Sequence, residues 1–140
     1  MIERMSKEES HALLGSQRLA RLGCVAEGEP YVVPINYVFD DGCALSHSLP
    51  GRKINAMRES PRVCLQVDEV ADQLHWKSVL AFGTFEEVSS PDERARAFNL
   101  LLSLFPRLTP VESRIAEDAA APPPIVYRIR IDRVTGIREG

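Results

Sequence analysis

Hydrophobic and polar positions divide this chain into short alternating runs separated by turn residues. Val63, Leu65 and Val67 alternate with Cys64, Gln66 and Asp68, which predicts a half-buried strand from Arg62 to Val70. Ile125, Tyr127, Ile129 and Ile131 alternate with Val126, Arg128, Arg130 and Asp132, a terminal strand with one charged face. Apolar runs predict further strands at Leu19 to Ala26, Tyr31 to Phe39, Cys43 to Ser48 and Trp76 to Val88. Glu27-Gly28-Glu29 and Asp40-Asp41-Gly42 are hairpin turns, and Ala71 to Leu74 is a connection. A period of two sets Cys43, Leu45 and His47 on one face of their strand and Ala44, Ser46 and Ser48 on the other. Pro34 has no N–H to give a ladder, so its strand lies at an edge or is bulged there. Gly83 marks a bend or bulge that lets a sheet curl.

Three stretches carry helix signals. Ser6 with Glu9 has the form of a capping box, and Gly15 follows Leu13 and Leu14 as a stop. Arg52 to Glu59 is a short helix with Ile54 and Met57 inward, ended by Pro61. Ser90-Pro91-Asp92-Glu93 opens a third, on which Ala95, Phe98, Leu101, Leu102 and Phe105 form a core-facing stripe up to Pro106. Pro106 to Pro124 is an irregular connection. Six strands, mostly hairpin-linked, with a few flanking helices predict an α+β domain built on a small antiparallel barrel. At 140 residues, one domain over 1–140 is expected.

Composition narrows the function classes. A net charge of −3, with no basic cluster interleaved with aromatics, points away from nucleic acid. The three cysteines, Cys24, Cys43 and Cys64, form no C-x-x-C pair and are expected as buried, reduced thiols. With no signal peptide and no apolar run of membrane-spanning length, a cytoplasmic protein free of membrane contact is expected.

Candidate chemistry concentrates between Tyr31 and Asp68. Ser46-His47-Ser48-Leu49-Pro50-Gly51-Arg52-Lys53 ends a strand in two hydroxyls and a histidine, turns through Pro-Gly and enters a helix whose first residues are basic. Backbone N–H groups at a helix start, the positive end of its dipole and two cations all favour an anion such as a phosphate. The same run also fits a surface turn followed by a solvated helix start. Trp76, ahead of Lys77-Ser78-Val79, suits the core, an interface or an aromatic wall against a planar ring. Pro34-Ile35-Asn36-Tyr37 suits either an edge strand or a bulge offering backbone groups to a heterocycle. A phosphate seat together with a planar wall suggests a nucleotide-like cofactor. No G-x-S-x-G elbow is present, and His11, His47 and His75 are too scattered for a metal site, so none is expected.

The ordered set Pro34-x-Asn36-Tyr37, Ser46-His47-Ser48-x-Pro50-Gly51-Arg52-Lys53, Pro61-Arg62-Val63-Cys64-Leu65-x-Val67-Asp68 and Trp76-x-Ser78-Val79-x-x-x-Gly83 resembles the pyridoxamine 5'-phosphate oxidase-like flavin-nucleotide-binding proteins. The branch it resembles most is that of the nitroimidazole-resistance proteins. The match runs from about Arg18 to Ser103. The resemblance implies a six-stranded antiparallel split β-barrel that forms a homodimer with FMN at the subunit interface. It implies that Pro34, Ile35, Asn36 and Tyr37 lie along the isoalloxazine and that Ser46, His47, Ser48, Gly51, Arg52 and Lys53 surround the ribityl phosphate. Trp76, Ser78 and Val79 would come from the partner subunit.

The implied activity is an FMN-dependent oxidoreductase that takes hydride from a nicotinamide and reduces a small, nitroaromatic-type acceptor, the flavin carrying the redox chemistry. His47 is the one catalytic candidate, for proton transfer, against a role in orienting the phosphate. The chain lacks the C-terminal arginine motif of true pyridoxamine phosphate oxidases, and Arg107-Leu108-Thr109-Pro110 is misplaced to replace it, so vitamin B6 synthesis is not expected. A non-catalytic flavin- or haem-binding module, with His47 or His75 as axial ligand, and a deazaflavin-dependent reductase are the alternatives.

Overall fold

The edge strand that Pro34 calls for is where the architecture turns. In the computed structural model, which describes residues 1–105 and 123–140, β1 (Ile2–Arg4) and α1 (Lys7–Ser16) precede β2 (Leu19–Ala26), β3 (Glu29–Asn36), β4 (Val38–Asp40) and β5 (Cys43–Ser48). Then come α2 (Arg52–Glu59), β6 (Arg62–Asp72), β7 (His75–Glu87), α3 (Pro91–Leu104) and β8 (Ile125–Glu139). The strands form one antiparallel sheet of eight in the order β3-β2-β6-β7-β8-β5-β4, with β1 added alongside β8.

The two ends of that order, β3 and β4, are consecutive in the chain and separated only by Tyr37. A sheet whose opposite edges are joined by one residue has to curl. Among the described residues no ladder pairs β3 directly with β4, so in place of the expected six-stranded barrel there is an eight-stranded antiparallel sheet whose two edge strands are joined by one residue.

Tyr37 makes this turn because it is held from two sides. Its N–H donates to the Arg18 carbonyl at 3.0 Å and its hydroxyl to the Leu14 carbonyl at 2.5 Å. The single strand expected from Tyr31 to Phe39 is therefore split. Pro34 needs no bulge: β3 pairs with β2 in unbroken register from Leu19↔Asn36 to Ala26↔Glu29, and its other side is the open edge.

The bulge lies across from Gly83. The β7–β8 register moves from Phe82↔Arg133 to Gly83↔Ile131, leaving Asp132 as the extra residue. A Cβ on Gly83 would meet the Arg130 carbonyl and come within 2.9 Å of the Ile129 side chain, so only glycine allows the strands this close. Of the segment expected as a connection from Ala71 to Leu74, Ala71 and Asp72 are strand, and the hairpin turns on Gln73 and Leu74. Asp72 fixes that turn by accepting from the Leu74 N–H at 2.8 Å and bonding His75 Nδ1 at 2.7 Å.

The main core contains Leu14, Leu22, Tyr37, Ile54, Met57, Leu65, Val79, Tyr127 and Ile129. Each fully buried large aliphatic side chain contributes about 1.5–3 kcal/mol by leaving water. A second cluster, Val38, Leu45, Val88, Ala97, Leu101 and Val126, fills the space beneath α3.

The helices differ in detail from their sequence signals. Ser6 caps α1 as expected, accepting from the Glu9 N–H at 3.1 Å, but the helix passes through Gly15 to Ser16. Ser90 makes no side-chain cap bond to α3, and its carbonyl accepts from the Arg94 N–H at 2.8 Å instead. Ala97 and Leu101 are the buried residues of α3, whereas Ala95 of the expected stripe is exposed because the helix turns its i, i+4 pair toward Leu45 and Val126. Cys24 and Cys43 are buried thiols, but Cys64 is only half-buried because it faces the outer side of the sheet. Among the described residues no helix is long and apolar enough to cross a membrane. The expected irregular connection lies outside the described residues except at Pro123 and Pro124, which belong to no regular element.

Candidate functional site

The pleat of β5 divides the Ser-His-Ser run. Ser46 is 2% exposed and Ser48 8% exposed on the face shared with Ala44, which joins the main core. His47 is on the other face, where its ring meets Phe98 of α3 edge-on at 5.6 Å. The sequence neighbours therefore look into different environments. Ser46 Oγ donates to the Asn36 carbonyl at 2.7 Å, and Ser48 Oγ to the Leu49 carbonyl at 2.8 Å.

After Pro50 the chain enters α2 through Gly51, which is extended and supplies no side-chain cap. Its carbonyl accepts from the Asn55 N–H at 3.0 Å, the first bond of the helix. The N–H groups of the first turn thus stand at the positive end of α2 without a capping side chain. Ile54 and Met57, both 0% exposed, anchor the helix in the main core. Arg52 is exposed, with its guanidinium carbon 5.0 Å from the centre of the Tyr31 ring, and Lys53 is half-buried.

Two ties therefore join the segment from Ser46 to Arg52 to the unpaired edge of β3. One is Ser46 to Asn36 and the other Arg52 to Tyr31. The first ties the end of β5 to the last residue of β3, and the second ties the first residue of α2 to Tyr31 nearer the start of β3. Ile35 is buried at 4%, whereas Pro34 and Asn36 are exposed. Trp76, Ser78 and Val79 lie elsewhere on the sheet, on β7, with β2 and β6 between them and β3. Val79 is buried, Trp76 is half-buried across from Val70 and Glu139, and Ser78 Oγ accepts from Gln66 Nε2 at 3.0 Å.

Two phenols lie near Ser46 and Asn36. Burial pushes Tyr37 up to about 12, with Arg18 pulling the other way. Tyr127, opposite Ser46 in the β5–β8 ladder, is likewise pushed up to about 12 by burial, with the nearby Ser46 hydroxyl opposing it. Ser46 gives its proton to Asn36, and no described group meets hydrogen-bond geometry with the buried Tyr127 hydroxyl. Both phenols stay protonated at neutral pH. Neither Tyr31 nor Tyr127 is marked out by the sequence as a site residue: the first sits at a strand start, and the second belongs to the inward set of an alternating strand.

A cavity of about 460 Å³ lies between α3, the β4–β5 turn and β8, lined by Asp40, Cys43, Glu93, Arg96 and Arg130 among others. Arg128 and Arg130 share Glu86 and Arg128 also meets Glu93, and no residue of the Ser46–Lys53 run lines it. A groove of about 480 Å³ runs along the outer face of β3, β2, β6 and β7, past Gly23, Tyr31, Val32, Cys64 and Phe82. Among the described residues, no group of three His, Cys, Asp or Glu side chains is placed to hold a metal ion.

A curled antiparallel sheet, with a helix start facing the edge strand across Ser46 and Arg52, defines a class of protein that the comparisons identify. The chain belongs to the pyridoxamine 5'-phosphate oxidase family, whose model matches residues 6–138. An FAD-binding protein of Mesorhizobium loti has the same fold with a TM-score of 0.82 at 33% identity, covering 100% of this chain and 99% of that one. A candidate 5-nitroimidazole antibiotic resistance protein of Bacteroides thetaiotaomicron is similar at a TM-score of 0.74 and 19% identity, covering 99% of this chain and 87% of that one. An uncharacterized protein of Rhizobium meliloti (strain 1021) is 39% identical over 101 residues, which are 69% of this chain and 67% of that protein. In both identity and fold the chain is more like the FAD-binding protein than the nitroimidazole-resistance protein, and the latter likeness bears on the fold alone.

Proposed function

We propose that this chain is a flavin-dependent oxidoreductase that works as a homodimer, with a flavin nucleotide along the open edge of β3 and its phosphate at the start of α2. The observation that carries the reading is the pair of ties, Ser46 to Asn36 and Arg52 to Tyr31, which hold a cationic helix start against an unpaired strand edge. FMN and FAD both carry a phosphate on the ribityl chain, so the same seat serves either. The resemblance points to FMN, and the full-length relative at 33% identity is an FAD-binding protein.

In this reading Arg52, Lys53 and the first N–H groups of α2 bind the phosphate, and charge-assisted bonds of this kind contribute about 1.5–3 kcal/mol each. Pro34 to Tyr37 present the strand edge to the ring. Ser46 holds that edge in place through Asn36, and the bulk of Tyr37 closes the site from the core side. When bound, the flavin supplies two-electron transfer between a nicotinamide donor and a small acceptor, and a nitroaromatic is the acceptor class to try first. His47, packed against Phe98, fits a positioning role better than proton transfer.

The second copy covers the outer face of β3, β2, β6 and β7, where Val32 is 68%, Val25 43% and Leu80 38% exposed. It brings its own Trp76, Ser78 and Val79 to the flavin, and on this account the curled sheet is one half of a split-barrel dimer. A haem ligand finds less support, since His75 is committed to Asp72 on an exposed hairpin.

The test is anaerobic titration of the purified protein with NADH and NADPH, after chromatography of the released cofactor has shown whether it is FMN or FAD. Bleaching of the flavin band, and its recovery on adding a nitroaromatic, is the expected result. A flavin that neither nicotinamide reduces contradicts the oxidoreductase reading.

A further inference from the structure

We propose that Tyr31 is the residue that positions Arg52 for the flavin phosphate. This rests on the reading of the α2 start as a phosphate seat and adds to it a residue from outside the seat.

The charged groups of this surface are mostly paired with one another. Arg58 meets Glu87, Arg62 meets Asp132, Arg128 and Arg130 share Glu86, and Arg138 meets Glu3 and Glu9. Among the described residues no carboxylate pairs with Arg52, whose guanidinium lies over the face of Tyr31 instead. That contact differs from an ion pair in two ways. A ring face attracts the cation without neutralising it, so the positive charge remains available to an anion. The guanidinium N–H donors point outward in the plane of the group, so stacking uses a face and leaves the donors free for phosphate oxygens.

Tyr31 can hold a long side chain in place because it is itself held. It pairs with Cys24 across the β2–β3 ladder and packs half-buried against the main core. Arg52, by contrast, stands exposed on the first turn of α2, and its guanidinium meets the Tyr31 ring. The stack selects one arm position ahead of binding. Tyr31 acts on the phosphate only through Arg52, and its effect must vanish for a ligand without a phosphate.

Titration of the cofactor-free protein with FMN and with riboflavin, followed by flavin fluorescence, tests this. Wild type is expected to bind FMN more tightly than riboflavin. Tyr31→Phe keeps the ring face and should hold FMN affinity within about twofold of wild type. Tyr31→Leu should weaken FMN about five- to tenfold, leave riboflavin within about twofold, and add nothing further in an Arg52→Ala background. Tyr31→trifluorophenylalanine, which keeps the shape and depletes the ring face, should weaken FMN in the same direction and guards against a Tyr31→Leu chain that fails to fold.

Unchanged FMN affinity in both ring-depleted variants overturns the inference while leaving the phosphate seat standing. Equal losses for FMN and riboflavin also overturn it, since they mean that Tyr31 touches the ring or only supports the fold. A wild type that prefers riboflavin, or that binds none of FMN, FAD and riboflavin, overturns the seat and this inference with it; one that binds FAD but not FMN is tested in the same way with FAD against riboflavin.

Discussion

Ser46 Oγ donates a 2.7 Å hydrogen bond to the backbone carbonyl of Asn36 and thereby ties the end of β5 to the last residue of the open edge strand β3. Ser46 is almost fully buried and stands opposite Tyr127, whereas Asn36 is exposed, so the bond is shielded from water on its donor side. It joins the strand edge proposed to face the flavin ring to the segment proposed to hold its phosphate.

Removing that bond should loosen both. Ser46→Ala leaves the Asn36 carbonyl without its donor, and the expected loss is about 1–2 kcal/mol of stability by urea denaturation. Weaker flavin retention should accompany it. A Ser46→Ala protein as stable and as well loaded as wild type would show the tie to be incidental.

Gly83 is set by a close approach of strands. Gly83→Ala drives a methyl group into the Arg130 carbonyl and within 2.9 Å of the Ile129 side chain. Backbone on that side cannot give without breaking the β7–β8 ladder, so a loss of about 1–3 kcal/mol or more is expected. Thermal unfolding monitored by circular dichroism measures it.

Glu86 makes the fold sensitive to acid. Hydrogen bonds from Arg130 and then Arg128 hold its carboxyl down at about 2, against an ordinary 4.5. A folded pKa below the unfolded one gives stability that is complete above about pH 4.5 and is lost as the pH falls toward 2. The carboxylate is partly exposed, and after discounting for solvent screening the contribution is about 1 kcal/mol. Glu86→Gln should lower stability at neutral pH and flatten its slope across that acid range, which a series of urea titrations from pH 6 to about 2 would show.

The fold was legible where a local rule and the tertiary structure agree. Pro34 marks an edge strand because a residue without an N–H has no place inside a sheet, and β3 is an edge. The two-residue period of Val63, Leu65 and Val67 gave their burial, and Ile54 with Met57 gave the inward side of α2. The break at Tyr37 was not legible, since Tyr31 to Phe39 carries no glycine and the turn is imposed by bonds from Tyr37 to Leu14 and Arg18. β1 is three residues long and exists only by pairing with the far end of β8. Within the proposed site, the strand end at Ser48 and the helix start at Arg52 were readable from residue order along one segment. Arg52 over Tyr31 was not, because nothing local relates a strand start to a helix start beyond the next hairpin.

The seat itself predicts a charge effect. Arg52→Ala combined with Lys53→Ala should weaken FMN by roughly 3 kcal/mol or more, at about 1.5–3 kcal/mol for each charge-assisted contact, and leave riboflavin nearly unaffected. Isothermal titration calorimetry with the two ligands separates this from loss of folding.

Dimer formation should be open to disruption on the outer face. Val32 is 68% exposed beside Gly23, and Val32→Asp would bury a carboxylate if a second copy covers that face. Analytical ultracentrifugation should show wild type at twice the chain mass and the variant shifted toward monomer, with flavin lost in parallel. A monomeric wild type that retains flavin contradicts the shared site.

The most direct test of the central claim is the visible absorption spectrum of the protein as purified, with a titration of FMN and FAD into any flavin-free fraction. A yellow protein with flavin bands near one equivalent per chain, or stoichiometric uptake of one of the two nucleotides, is the expected result. A colourless protein that takes up neither would contradict it.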